Sequence, residues 1–299
     1  MPRQFLYFIN PVSGTKDKAT LIDIISRRTT EQHIQFEITD TDPTGLYPNL
    51  KEKITTDRIT DIIICGGDGS ISQLAGTLLG VDVNFGIIPM GSGNGLALAA
   101  NIPTSVAKAL DIIFNKNVLY IDSFYINGKF SCMLCGLGLD AQVAHDFAKQ
   151  KKRGLATYIK QTIRNFFSAK PYPFSLSLED KMFSTEAFFI SIANSNQFGN
   201  NFTIAPQASL HDGLIDIVVV NKMSKFHLLW SVLKQVRQGQ LHKYEDKKYH
   251  KKDIHYFQVK DLTIQNPGLA PFHIDGDPAT TNETFRIKII ENAFRMHMP

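Results

Sequence analysis

Hydrophobic and polar positions divide the chain into two parts with different rhythms. In the first, short apolar runs alternate with stretches whose apolar residues recur at helical spacing. Phe5 to Ile9 is an apolar run of strand length that empties into Asn10-Pro11-Val12-Ser13-Gly14, and a helix follows to about Arg28. Gln35 to Thr39 alternates as a half-buried strand does, and Leu46 to Thr55 carries a helical pattern. Ile62 to Cys65, apolar and largely β-branched, predicts a buried strand ending in Gly66-Gly67-Asp68-Gly69-Ser70, with a helix from Ile71 to Leu79. Phe85 to Ile88 repeats the plan, ending in Gly91-Ser92-Gly93-Asn94-Gly95 before a further helix, and Ser105 to Phe114 predicts another. The order β-α-β-α-β-α-β-α calls for a parallel sheet covered on both faces.

From about Ile121 strands dominate. Val118 to Ile126, Phe130 to Val143, Phe174 to Glu179, Glu186 to Asn194, Leu214 to Val220, Tyr256 to Gln265, Phe272 to Asp275 and Phe285 to Ile290 all read as strands. Two helical stretches interrupt them, Leu155 to Phe167 and Lys225 to Gln238. The first has an apolar side that fits either a core-facing helix or a lipid-facing rim. The expected architecture is α/β plus β-rich. A doubly wound parallel α/β domain spans residues 1–120, and a larger β-rich domain spans residues 121–299, its extreme C-terminus packing back on the first. No internal repeat and no Pro/Gly/Ser-rich linker separates them.

Composition narrows the class without naming a function. At 299 residues, with 43% hydrophobic and 20% charged residues, the chain suits two globular domains. No run approaches the roughly 18 apolar residues that cross a bilayer, and MPRQFLYFINP lacks a signal-peptide layout, so a cytoplasmic protein is expected. The net charge of +4 is mild. Its distribution is uneven: Lys149, Lys151, Lys152 and Arg153 cluster, as do Lys243, Lys247, Lys248, Lys251 and Lys252. Such runs are solvated faces or docking patches for anionic lipid headgroups, and peripheral membrane contact is expected in preference to nucleic acid. Cys132 and Cys135 spell C-x-x-C, but no partner motif completes a zinc site, and the local pattern reads as a strand in which residues three apart face opposite sides.

The chemistry concentrates at the strand exits. Glycine-rich strand-to-helix junctions let backbone lie close to a ligand and aim unpaired helix N–H groups at an anion. Three such exits, at Gly14, Gly66-Gly67-Asp68-Gly69 and Gly91-Ser92-Gly93, stand at carboxyl ends of strands, where ligands of parallel sheets bind, so they can converge on one crevice. A polyphosphate fits them. Asp68 would repel it unless a cation intervened, so Mg²⁺ is implied. Neither later loop is a Walker sequence or a dinucleotide fingerprint. In the second part, Asp275 and Asp277 flank Gly276, a pattern that is equally a catalytic element or a plain turn. Asp122 is equivocal, and Asp212-Gly213 with Asp216 reads as a turn plus a strand residue.

Gly66-Gly67-Asp68-Gly69-Ser70 together with Gly91-Ser92-Gly93-Asn94 resembles the diacylglycerol kinase catalytic domain superfamily, which includes sphingosine and ceramide kinases and bacterial soluble lipid kinases. The similarity extends to Asn10-Pro11-Val12-Ser13-Gly14, to Gly154-Leu155-Ala156-Thr157-Tyr158, and to Ile204-Ala205-Pro206-Gln207-Ala208 with Asp212-Gly213. It implies an ATP- and Mg²⁺-dependent kinase acting on the hydroxyl of a diacylglycerol-like or sphingoid lipid. By the resemblance, Asn10, Ser13, Gly14, Lys16, Gly66, Gly67, Gly69, Ser70, Gly91, Ser92, Gly93 and Asn94 hold phosphate. Asp275 is the base, or Asp68 on the sphingosine kinase pattern; Asp68, Asp122 and Asp277 organise the metal waters, and Asp212 belongs to a structural metal site. Ser70 replaces a usual Thr, Asp277 a usual Glu, and His211 an Asp of that second site. Lys170 is a further phosphate candidate. The alternatives are an NAD kinase, whose Asn-x-Gly-x-Leu-Gly-Phe pattern is missing here, and a catalytically silent nucleotide- and membrane-binding sensor. A homodimer is left open.

Overall fold

Parallel pairing in the first half follows from helical returns between the strands. In the computed structural model β1 (Gln4–Ile9) lies between β2 (Gln35–Asp40) and β3 (Asp61–Gly66), and β3 pairs with β4 (Asn84–Pro89), all in parallel. Residues 2–14, 17–150, 161–162, 164–166, 168–178, 181–197, 204–222 and 254–299 are described. The helices are α1 (Lys18–Glu31), α2 (Leu50–Thr56), α3 (Asp68–Thr77), α4 (Gly95–Ala99) and α5 (Val106–Phe114). β3 is buried at every position and β1 and β4 at all but their first, as strands covered on both faces must be. Because β1, β3 and β4 are adjacent and parallel, their carboxyl ends and the loops leaving them are adjacent too.

Backbone contacts divide the chain into two units, residues 1–122 with 291–299, and residues 123–290. The last strand, β15 (Thr284–His297), contributes to both. Its end pairs in parallel with β4 through Arg295↔Asn84 and Met296↔Phe85, while its start pairs antiparallel with β12 (Asp261–Gln265). At the amino end of β3, buried Asp61 accepts from Arg3 Nη2 (2.7 Å), His297 Nε2 (2.7 Å) and Thr60 Oγ1 (2.6 Å). Burial alone would raise its pKa, but those donors outweigh it and hold the carboxyl well below the usual range.

The second unit is antiparallel. β7 (Leu134–Gly138) pairs with β9 (Lys181–Ala193), β9 with β8 (Tyr172–Leu178) and β10 (Ile215–Asn221), and β8 with β12. β11 (Ile254–Val259) adds to β10, β6 (Lys129–Ser131) to β5 (Val118–Ile126), and the hairpin of β13 (Phe272–Ile274) and β14 (Asp277–Ala279) to β7. Alternate residues of these strands, among them Phe124, Phe174, Ile190, Ile217, Phe272 and Phe285, form its core.

Three expectations change. Phe130 to Val143 is not one strand: β7 stops at Gly138, and α6 (Leu139–Ala148) begins at once. Gly138 has φ +94°, and a Cβ there would stand 2.4 Å from the Phe188 carbonyl oxygen, so the chain turns where only glycine fits. A short apolar run does not tell helix from buried strand. Tyr256 to Gln265 is two strands, separated at Lys260 as the chain moves from β10 to a place between β8 and β15. The last strand runs on from Ile290 to His297. Leu155 to Tyr158, the Lys225 to Gln238 helix, Gly154, Lys16, Lys151, Lys152, Arg153, Lys243, Lys247, Lys248, Lys251 and Lys252 lie outside the described residues. Among the described residues no helix is long and apolar enough to cross a membrane.

Candidate active site

The three glycine loops of the first unit meet backbone to backbone. A Cβ on Gly91 would lie 2.6 Å from the Gly67 Cα, and one on Gly14 would lie 2.8 Å from the Met90 carbonyl oxygen. Gly14 itself has φ +67°, a conformation glycine adopts at no steric cost. Side chains then lock the contact. Asn10 Nδ2 donates to Ser70 Oγ (2.9 Å), joining the first loop to the second, and its Oδ1 accepts from the Val12 N–H (3.1 Å). Ser13 Oγ donates to the Asn10 carbonyl (3.0 Å). Asn94, at φ +52°, closes the third loop by accepting from the Gly91 N–H (2.7 Å) and donating to the Gly91 carbonyl (2.9 Å).

Asp68 is the first residue of α3, and its carboxylate spans two loops. Oδ2 accepts from the Gly95 N–H (2.9 Å) and Oδ1 from the Leu96 N–H (3.2 Å), at the start of α4. The expectation that each following helix presents unpaired N–H groups is therefore corrected. Asp68 caps α4, and Asp17 caps α1 by accepting from Ala19 and Thr20. Of the three helices that follow the glycine loops, α3, entered through Gly67, is the one without a side-chain cap. Gly69 lies in the first turn of α3, Ser92 is exposed and Gly93 half-buried.

Lys18 is a residue the sequence reading passed over in favour of Lys16. Its ammonium donates to the Ser13 carbonyl (2.5 Å), and partial burial lowers its pKa. A lysine at the first position of a helix carries no motif of its own, so only the fold exposes it. Asp122 is 3% exposed, and its Oδ1 accepts from the N–H of Asn292, a residue at φ +53°.

In the second unit Asp275 and Gly276 are the two central residues of the β13–β14 turn, at φ +48° and +87°. Two left-handed residues in a two-residue hairpin are the setting in which Asp-Gly is favoured. The turn presents its acid to the β6–β7 segment: Asp275 Oδ1 accepts from Ser131 Oγ (2.6 Å), the Leu134 N–H (3.1 Å) and the Met133 N–H (3.2 Å). The Asp275 N–H in turn donates to the Leu134 carbonyl (2.8 Å). Asp277 is exposed at the start of β14.

Asp212 accepts from the Leu214 N–H (3.1 Å) in a turn, while Asp216 is buried and accepts from the Tyr256 hydroxyl. Burial pushes the Asp216 carboxyl up to about 6, and its bond from Tyr256 pulls the other way. His211 is exposed, and among the described residues no three ligating side chains gather at Asp212 or elsewhere. Cys132 and Cys135 are both buried, and burial raises the Cys135 thiol further from ionisation.

Comparison with known proteins matches both halves. Residues 4–126 match the family described as diacylglycerol kinase catalytic domain, and residues 134–296 match the YegS C-terminal NAD kinase beta sandwich-like domain. A protein named "Probable lipid kinase YegS-like" of Shewanella frigidimarina (strain NCIMB 400) is 24% identical over 250 residues, covering 81% of this chain and 78% of its own. Its namesake in Citrobacter koseri (strain ATCC BAA-895 / CDC 4225-83 / SGSC4696) is 27% identical over 249 residues, covering 81% and 79%. The fold is similar to the crystal structure of a diacylglycerol kinase from Bacillus anthracis str. Sterne, with a TM-score of 0.74 at 17% identity over 99% of this chain and 97% of that one. Matched in this way through both of its halves, the chain belongs to the lipid kinase family that joins a diacylglycerol kinase catalytic domain to a YegS-type C-terminal domain.

Proposed function

We propose that the protein transfers the γ-phosphoryl group of ATP, with Mg²⁺, to the hydroxyl of a diacylglycerol-like or sphingoid lipid. Membership in a kinase family implies ATP as donor. The observation that carries the finer reading is the mutual contact of three glycine-bearing loops around Asp68, with the helix after the second loop, α3, entered without a side-chain cap. Side-chain bulk is excluded where polyphosphate backbone contacts are needed, and Lys18 places a cation at the first loop.

A self-contained metal cage is not part of this reading. Mg²⁺ keeps several waters and is held by one or two carboxylates together with substrate phosphates. Asp68, with both oxygens already on backbone N–H groups, suits contact with such waters. Asp122, in the same unit, is the other carboxylate proposed for that shell. The cation, when bound, neutralises charge developing on the transferred group. Asp275 receives the proton of the lipid hydroxyl, its position fixed by three donors on Oδ1. The enzyme works in this reading at an anionic membrane surface, where its substrate resides.

The test is phosphotransfer from γ-labelled ATP to diacylglycerol, monoacylglycerol, sphingosine, ceramide and phosphatidylglycerol in mixed vesicles, with NAD run beside them. Mg²⁺-dependent labelling of a lipid, abolished in Asp275→Asn, is the expected result. Labelling of NAD alone moves the assignment to an NAD kinase, and ATP binding without turnover on any acceptor to a silent sensor.

A further inference from the structure

The turn that carries Asp275 has a buried support with no part in the reaction as described above. His273, on β13, is wholly buried, and its Nδ1 accepts from the Gly276 N–H (3.2 Å). An imidazole nitrogen that accepts holds no proton, so the ring proton sits on Nε2. That nitrogen lies 3.5 Å from Oδ2 of Asp140, in the first turn of α6. Asp140 is nearly buried as well, and its Oδ1 accepts from the Ala141 N–H (2.8 Å). The pair occupies space left by Gly136: a Cβ there would stand 1.9 Å from Asp140 Oδ2 and 2.5 Å from His273 Nε2. The same helix holds β13 a second time, through His145 Nε2, which donates to the Phe272 carbonyl (2.8 Å).

We propose that Asp140 and His273 are positioning residues for phosphoryl transfer: Asp140 fixes the imidazole tautomer, and Nδ1 fixes the left-handed turn that aims Asp275. The inference rests on the reading of Asp275 as the group that receives the hydroxyl proton. Stability alone explains the pair poorly. Burial pushes the Asp140 carboxyl up, with His273 pulling the other way, and apolar residues of similar volume commonly replace buried ionic pairs at no loss. What an apolar pair cannot do is accept the Gly276 N–H. Orientation of a working group by a second polar partner is the logic of catalytic triads and of metal-site outer shells.

The experiment measures kcat and KM for the full chain with ATP and whichever lipid it labels. Four single variants are compared: Asp140→Ala, His273→Gln, His273→Asn and Asp275→Asn. Asparagine keeps an acceptor near the place of Nδ1, whereas glutamine places its amide near that of Nε2. Asp140→Ala and His273→Gln are expected to lower kcat about 10–100-fold, the range typical of lost orienting partners, with KM for ATP within about twofold. His273→Asn should retain most of kcat, and adding Asp140→Ala to it should cost nothing more, because no tautomer remains to be fixed.

Wild-type kcat in His273→Gln overturns the inference, as does a parallel fall of kcat, KM and unfolding midpoint in both His273 variants. Nitrogen-15 spectra of the wild-type imidazole give a readout that needs no variant to fold: an Nε2–H tautomer is expected, and an Nδ1–H tautomer overturns the proposal. Full activity in Asp275→Asn removes the reading of Asp275 itself. A dead Asp275→Asn beside an unaffected His273→Gln removes only the positioning role.

Discussion

A single carboxylate, Asp68, ties the second glycine loop to the helix behind the third. Replacing it with alanine leaves two N–H groups at the start of α4 without their acceptor, a loss of about 1 kcal/mol by the usual worth of a helix cap. The same change removes a carboxylate proposed to hold the water shell of the cation. Asp68→Ala is therefore expected to cut phosphotransfer at least about 100-fold while lowering the denaturant midpoint only slightly; an unfolded variant would show that the cap matters more than the charge. Asp216 makes an independent case at this scale. Its carboxyl titrates near 6 when folded and near 3.9 when unfolded, so the native state binds the extra proton between those values. Stability from this group is present below about pH 4 and falls as pH rises toward 6. Asp216→Asn should thus equal wild type at pH 4 and exceed it by up to about 3 kcal/mol at pH 8, read from urea unfolding at both values. Of these roles, the glycines were legible because a glycine's use is local. The partners of Asp68 were not, since Gly95 reaches it only after β3 and β4 pair.

Elements were most legible where the period was unbroken. β1, β3 and β4 each read as an apolar run and each proved buried, and the glycine loops at their ends follow from parallel order. α6 was misread because Leu139, Ala141, Val143 and Ala144 continue the apolar run of β7, and the sign of the break, Gly138, looked like one glycine among several. The Asp-Gly-Asp turn shows why a turn and a functional element need not exclude each other. Asp275 and Gly276 form a two-residue hairpin whose geometry is set by backbone preference, and the hairpin then delivers a carboxylate to three donors. Gly276→Ala isolates the conformational part, because a Cβ there meets nothing within 4 Å while φ stays at +87°. A cost of about 1 kcal/mol is expected, with lower kcat and unchanged ATP affinity. Gly91→Ala is the contrasting case. Its Cβ would meet the Gly67 Cα at 2.6 Å, backbone that cannot swing aside, so ATP affinity should fall while lipid affinity does not. Isothermal titration with each ligand separates the two outcomes.

At the scale of the whole chain, the first unit is completed by residues far from it in sequence. Phe294 packs edge-on against Phe85 (5.2 Å between centroids), Met296 is fully buried, and His297 reaches Asp61 at 2.7 Å. None of this was legible beyond a general expectation for the C-terminus, because the apolar signal of the last strand fades at Glu291-Asn292-Ala293 before resuming. Two large buried side chains contribute roughly 2 kcal/mol each, and leaving Asp61 without one donor of its buried network costs about 3 kcal/mol more. The total, about 7 kcal/mol, falls within the 5–15 kcal/mol that holds an ordinary domain together. A chain ending at Ile290 should therefore lose the fold of residues 1–122, and with it ATP protection from proteolysis, while the antiparallel strands of residues 123–290 keep their amide protection in hydrogen exchange. The milder His297→Ala should stay folded at pH 7 and unfold at a higher pH than wild type on acid titration. The sign follows from Asp61: its carboxyl is depressed in the folded state, so the stability it supplies is present above about pH 4 and disappears as pH falls toward its folded value. With His297 gone that depression shrinks, and the acid transition moves upward. An unchanged transition would mean that Arg3 and Thr60 alone satisfy the buried charge.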